Sequence, residues 1–338
     1  MVRTDRLVTR TLAALLLATP WLTPVLAGQT FGVTPTALPR YTPQHTHDRF
    51  PDGRPKVPDH LVATLREMNL EIEEAFGILN SKGYTNQYEA NWKVLIPGKR
   101  LIGRAFTVQF MPTRPDLAEG LQKDADAQSV GRLRNQTAID MLQKDDVPVV
   151  DLYGRIAGGT FVGDKLAYYV QKTTGTGLVV DGALFYLQRL EAAGMPAYYR
   201  GTHPGALTGA LLSGVNVPIR IGSVTVMPGD IVLGDRDGVL FIPPHLVEEI
   251  IASAKTQRLR DQWVKGKFDL GKYKSGEIYG RPTDPALLKE FLDFTGQTDN
   301  PPARGGAGGA TGRGGRGGGA AGGGSTPQGN PPARGGSN

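Results

Sequence analysis

The sequence has no cysteine, which rules out disulfides and thiolate metal ligands and leaves stability to the hydrophobic core. Beyond residue 27 it has no apolar run approaching the about 20 residues that a membrane span requires. A P-loop, a Gly-x-Ser-x-Gly nucleophile elbow and paired histidines at metal spacing on a helix are missing too. Gly175-Thr-Gly177 precedes its strand instead of following it, so a dinucleotide-binding turn is not available. Charge excess is likewise absent from the body of the chain. The formal +6 belongs to the two ends, and between Gly28 and Asn300 there are 31 basic and 31 acidic residues. That balance removes the composition-level argument for a nucleic-acid or anionic-membrane partner.

The ends carry the compositional bias. Arg3, Arg6 and Arg10 lead into an apolar stretch from Leu12 to Ala27 that closes on Val25-Leu26-Ala27, the layout of a secretory signal. Pro20 and Pro24 interrupt the stretch, which argues against a membrane anchor. Residues 1–27 are therefore expected to be a cleaved signal peptide on a periplasmic or secreted protein with no span left after cleavage. At the other end, residues 301–338 hold 16 glycines and four arginines but no acid and no aromatic residue. Such a segment cannot bury enough apolar surface to offset its ordering entropy, so a disordered Gly/Arg-rich tail is expected. Its repeated Asn-Pro-Pro-Ala-Arg-Gly-Gly phrase reads as low-complexity expansion. An RNA-binding reading lacks the aromatics on which bases stack, which leaves a spacer or tether.

Between the ends, residues 28–58 form a proline-rich polar arm. Its His45-Thr46-His47-Asp48 string reads as solvated, because a closed metal site needs a rigid scaffold. A single α/β domain is expected over 59–265, with an extension over 266–300. Asp59 as N-cap and Leu61, Leu65, Met68, Ile72, Phe76 and Leu79 at helical spacing predict one amphipathic helix, followed by a loop from Asn80 to Gly98. Leu101 to Phe110 reads as a buried strand stopped by Pro112. A helix near Thr137–Gln143 leads to a strand at Val147–Asp151, a helix opened by Gly163 and ending at Lys172, and a strand at Leu178–Asp181. This alternation predicts a crossover unit. Short strands follow at Gly194–Tyr199, Val217–Ile221 and, two or three together, Val224–Pro243. A helix from Pro244 to Gly266 should bury Leu246, Val247, Ile250, Ile251 and Ala254, and a last short helix has Asp284 as N-cap and Pro285 at its first position.

The one local feature suited to binding is the Gly163 turn, since glycine lets a ligand approach the backbone and free amides at a helix start attract carboxylate or phosphate. The strings Gly103-Arg-Ala-Phe-Thr-Val108, Val149-Val-Asp151, Gly163-Asp164, Val180-Asp-Gly-Ala183, Val226-Met-Pro-Gly-Asp230 and Gly234-Asp-Arg-Asp-Gly-Val239 with Ile242-Pro243 resemble the RraA-like family. That family includes the regulator of ribonuclease E activity and divalent-metal-dependent 4-hydroxy-4-methyl-2-oxoglutarate aldolases, some formerly labelled demethylmenaquinone methyltransferases. The resemblance runs from about Asp59 to Leu259. It implies a swivelling β/β/α domain, assembled as a homotrimer or hexamer, and a Mg or Mn ion that polarises the carbonyl of a keto acid during aldol cleavage or oxaloacetate decarboxylation. It also implies that the amides of Gly163, Asp164, Lys165 and Leu166 bind the pyruvyl carboxylate and that Asp164 holds metal-bound water.

The family's next element is an Arg-Asp step that clamps substrate and ligates metal. Here Phe185 and Tyr186 stand in those places, and Phe185 follows Gly163 by 22 residues, the family's own interval, so no gap shifts the register. A hard divalent ion wants carboxylate oxygen, and a neutral tyrosine is a poor substitute. Loss of a positioned charge commonly lowers the rate on the order of a hundredfold. Arg189, one helical turn beyond Phe185, could reach the same pocket, and Asp151 and Asp181 end neighbouring strands where a metal could be held. Asp230, Asp235 and Asp237 read as turn formers, and His203 and His245 as loop or cap residues. Two functions fit: a divergent or weak lyase of the aldolase and decarboxylase type, and a non-catalytic binding or scaffold protein that kept the fold.

Overall fold

The computed structural model describes residues 37–298, so the signal peptide and the Gly/Arg tail lie outside the described residues. In chain order the elements begin with helices α1 (Leu38–Tyr41), α2 (Asp59–Glu67) and α3 (Ile72–Ser81), then strands β1 (Tyr88–Glu89), β2 (Lys93–Val94) and β3 (Leu101–Pro112). Helices α4 (Pro115–Ala127) and α5 (Asn135–Ile139) precede β4 (Asp146–Thr160), α6 (Asp164–Thr174), β5 (Leu178–Leu184), α7 (Leu187–Ala192) and β6 (Ala197–Thr202). Strands β7 (Ala210–Val215), β8 (Ile219–Ile221), β9 (Val224–Val226), β10 (Ile231–Gly234) and β11 (Val239–Ile242) lead to α8 (Val247–Asp269), α9 (Ser275–Ile278) and α10 (Pro285–Thr295).

Strands β3, β4, β5 and β6 run parallel, joined by helical crossovers, at the centre of a sheet ordered β1-β11-β10-β3-β4-β5-β6-β2, with β7 also on β3. Alternation along each strand sorts the core between two faces. Phe106, Val108, Val150, Val180 and Leu184 point to the helical face and pack with Ala138, Ala167, Val170 and Leu190. Further along that face, Ile102, Ile231, Leu233 and Leu240 meet Leu61, Leu65, Leu79, Val247 and Ile250. Ala105, Val149, Val179, Tyr198 and Val232 point the other way, onto the small β8–β9 sheet. The result is a layered β/β/α domain, as expected.

Several local expectations are corrected. The helix predicted across 59–79 is broken: Asn69 turns left-handed (φ 50°), Leu70 plugs the core, and Glu71 and Glu74 form a new capping box that starts α3. The hydrophobic period runs unbroken through that kink, so periodicity alone does not reveal it. Asp59 lies inside the first turn and bonds Arg104 instead of capping. The loop at 80–98 contains β1 and β2, and α4 and β7 are additional. Strand β4 continues past Asp151 to Thr160 through two register shifts. Helix α8 passes Gly266 and ends at Asp269, because Trp263 and Lys267 are gripped by α10 through Phe291 (ring centroids 5.2 Å) and Glu290 (2.5 Å).

The polar arm, where described, is packed rather than solvated. Arg54 is fully buried; it donates to both carboxylate oxygens of Asp146 (2.9 and 3.3 Å) and to Asp52 (2.8 Å), and its guanidinium lies 4.6 Å from the Phe50 ring centre and 4.9 Å from that of Phe106. Leu38 and Val57 are also fully buried. An arginine buried this deeply needs a partner charge, and that charge comes from a strand of the central sheet.

Candidate functional site

The Gly163 turn sits at the C-terminal end of β4, on the helical face. Phe161 and Val162 anchor it in the core, and Gly163 is the N-cap of α6, its carbonyl accepting from the amide of Ala167 at 2.8 Å. The amides of Asp164, Lys165 and Leu166 open the helix and have no acceptor within it, so the positive end of its dipole faces outward. Gly163 has an ordinary extended backbone (φ −100°, ψ −177°), so its role is space: a Cβ there would lie 2.9 Å from Cζ of Phe185.

Phe185 therefore lies directly against the turn. Tyr186 stacks on it with ring centres 4.4 Å apart, held in a left-handed conformation (φ 55°) as N-cap of α7, where its carbonyl accepts from the amides of Arg189 (2.9 Å) and Leu190 (3.1 Å). Arg189 lies over the Tyr186 ring at 4.7 Å and donates to Asp164 at 2.6 Å. Asp164 is held below the usual carboxylate range by that bond from Arg189. Gly163, Phe185, Tyr186, Arg189 and Asp164 thus form a closed circuit of contacts. Arg189 lies beside this turn, with α7 starting at Leu187 and Phe185 outside the helix.

The other sequence candidates lie elsewhere. Asp181 points to the opposite face of β5, beside Val179, and is bonded by Arg200 at 2.6 Å; Arg200 also binds Glu89 at 2.7 Å and stacks on Trp92 at 3.7 Å. Asp151 is its register partner, pushed up by burial, with the amide of Tyr153 (2.8 Å) opposing and Asp181 adding to the rise. His203 accepts from the amide of Gly205 at 3.1 Å within its own loop. Asp230 and Asp235 accept from the amides of Met227 and Asp237, as turn formers do. The Arg200, Glu89 and Trp92 partners were not legible beforehand, since they come from three separate strands and loops.

A divalent ion at the family's position does not suit these residues. Asp164 is engaged by the Arg189 guanidinium, which also brings positive charge to the turn, and Tyr186 offers only a stacked phenol. Among the described residues, three carboxylates that lie within 4.8 Å of one another are Glu73, Asp235 and Asp237. They sit near the Leu101 end of β3, the opposite end of the sheet from Gly163.

A parallel four-stranded core, a crossover helix with a glycine N-cap and a β hairpin on the far face define an α/β domain of the swivelling type. A family model described as RraA-like, Aldolase/RraA, matches residues 62–241, and the chain belongs to that family. A protein of Halalkalibacterium halodurans provisionally named 4-hydroxy-4-methyl-2-oxoglutarate aldolase is 36% identical over 121 residues, 35% of this chain and 55% of that protein. Protein DlpA of Legionella pneumophila is 28% identical over 181 residues, 51% of this chain and 26% of its own length. The chain thus spans about half the length of the first of these relatives and about a quarter of the second. Among solved structures, Streptomyces coelicolor RraAS2, titled an unusual member of the RNase ES inhibitor RraA protein family, is similar with a TM-score of 0.53 at 27% identity, covering 65% of this chain and 99% of that one. An uncharacterized Pseudomonas syringae protein shares the fold at 20% identity and a TM-score of 0.53, covering 68% of this chain and 94% of its own.

Proposed function

We propose that this is an exported protein that binds a small keto acid at the Gly163 turn, with Arg189 taking the part of the arginine absent from position 185, and that its carbon-carbon lyase activity is weak. The observation that carries the reading is the Arg189–Asp164 bond of 2.6 Å over the Tyr186 ring, which puts a cation beside the amino-terminal amides of α6. In this arrangement the amides of Asp164, Lys165 and Leu166 hold the carboxylate, and Arg189 exchanges its bond to Asp164 for one to the ligand. Phe185 and Tyr186 provide an apolar floor that excludes water. A Mg or Mn ion, when bound in the aldolases of the family, supplies Lewis-acid polarisation of the keto group; here Asp164, the carboxylate nearest the turn, is engaged by Arg189.

Pyruvate and oxaloacetate are expected to bind equally with and without magnesium or manganese, measured by calorimetry. Arg189→Ala should weaken that binding about tenfold, the worth of one charge-assisted hydrogen bond. Pyruvate release from oxaloacetate or 4-hydroxy-4-methyl-2-oxoglutarate should stay near background and rise in the double variant Phe185→Arg, Tyr186→Asp. Rapid metal-dependent turnover by the unaltered protein would refute the assignment. The second reading, a scaffold without ligand, is favoured by the exposure of Tyr186; it predicts no keto-acid binding and no gain in the double variant. A homotrimer or hexamer belongs to the proposal as well, with the exposed Tyr168 and Tyr169 on α6 as apolar surface for a neighbour to cover, and sedimentation measures it.

A further inference from the structure

We propose that His45, His47 and Glu248, with His245 beside them, form a site for a divalent transition ion of the zinc class, anchored on the Nδ1 atom of His45. Three of the five histidines in the sequence meet where the amino-terminal segment packs on the start of α8. None belongs to the Gly163 site.

The state of His45 is what marks the site. Its Nε2 lies 2.9 Å from the main-chain oxygen of Asp48. A carbonyl oxygen only accepts, so Nε2 carries the ring proton and Nδ1 presents a bare lone pair. That Nδ1 is buried with no hydrogen-bond partner, in a side chain only 8% exposed. Native structures leave few buried polar atoms unsatisfied, and each calls for an explanation. A ring whose far nitrogen is fixed by a backbone carbonyl while the near one is free is how proteins orient a histidine toward a metal.

Further donors lie near its ring. The His47 ring meets that of His45 edge to face with centres 5.7 Å apart, and its Nε2 lies 3.6 Å from Oε1 of Glu248. His245 is close enough to act on the charge of His45, and its Nε2 is 3.4 Å from the Tyr84 hydroxyl. Imidazole and carboxylate donors without thiolate suit zinc and its neighbours better than magnesium. The site is not preassembled, since the described residues bring three donors within 4.8 Å only at Glu73, Asp235 and Asp237. His45 is the fixed element; His47 and Glu248, 30% and 64% exposed, are free to close on an ion arriving from solvent.

Zinc added to the metal-stripped full chain should bind at about one equivalent with Kd on the order of micromolar or tighter, read by calorimetry. Cobalt in its place should give the visible absorption of a four-coordinate nitrogen and oxygen site. His45→Gln keeps an N–H to donate to Asp48 but replaces the imidazole nitrogen with a neutral amide oxygen, a far weaker zinc ligand; it should weaken zinc at least about tenfold while leaving unfolding in chelator unchanged. His47→Ala and Glu248→Gln, at accessible positions, carry the same test should His45→Gln fail to fold. Absence of zinc binding, binding undiminished in these variants, or binding lost instead in Asp237→Asn would overturn the proposal.

Discussion

Asp230 offers a sharp test of how burial governs this fold. Its side chain is 2% exposed at the turn into β10 and accepts one hydrogen bond, from the amide of Met227 at 2.9 Å. Burial outweighs that bond and pushes its pKa from an ordinary 3.8 up to about 7. The folded state therefore holds this proton more tightly than the unfolded chain. The favourable contribution is complete below pH 4, declines as pH rises, and is gone above pH 7. Each unit in that window removes about 1.4 kcal/mol, roughly 4 kcal/mol in all. Asp230→Asn is a permanently neutral copy, and any fixed effect of its amide is the same at every pH. Urea unfolding of both proteins at pH 4, 6 and 8 should show the variant gaining on the unaltered chain with each step. A stability difference that stays constant from pH 4 to pH 8 would refute the reasoning.

Two other perturbations follow from named contacts. Arg54→Met leaves Asp146 buried without its partner and should lower the unfolding free energy by about 3–5 kcal/mol in calorimetry, with much of the loss recovered on adding Asp146→Leu. Asp284→Ala removes the cap that accepts from Ala286 and Leu287 at 3.0 and 2.9 Å, and should loosen α10 by about 1 kcal/mol, seen as faster amide exchange there and unchanged exchange in β3.

The parts of the fold legible in the sequence are those fixed by local chemistry. Gly163 opening α6, Asp284 with Pro285 opening α10, and the tight acidic turns around β10 and β11 all depend on residues within a few positions of each other. Arg189 was expected near the turn on the premise of a helix from Phe185; α7 starts at Leu187 after the left-handed Tyr186, and the long Arg189 side chain reaches Asp164 from there. What sequence could not disclose depends on partners far along the chain. Arg54 reads as a solvated arm residue until Asp146, 92 residues away, is placed beside it. Asp181 reads as a free carboxylate until Arg200 and Glu89 arrive from neighbouring strands. The break at Asn69 was hidden for a different reason, since apolar spacing on both sides of it is the same.

The small cluster of Trp263, Ile278 and Phe291 shares none of its buried side chains with the clusters under the sheet. Helix α8, 23 residues long, is rooted in the domain at one end and carries that cluster at the other. Warming or proteolysis could therefore strip the carboxy-terminal helices from their mast while the sheet and the Gly163 turn keep their shape.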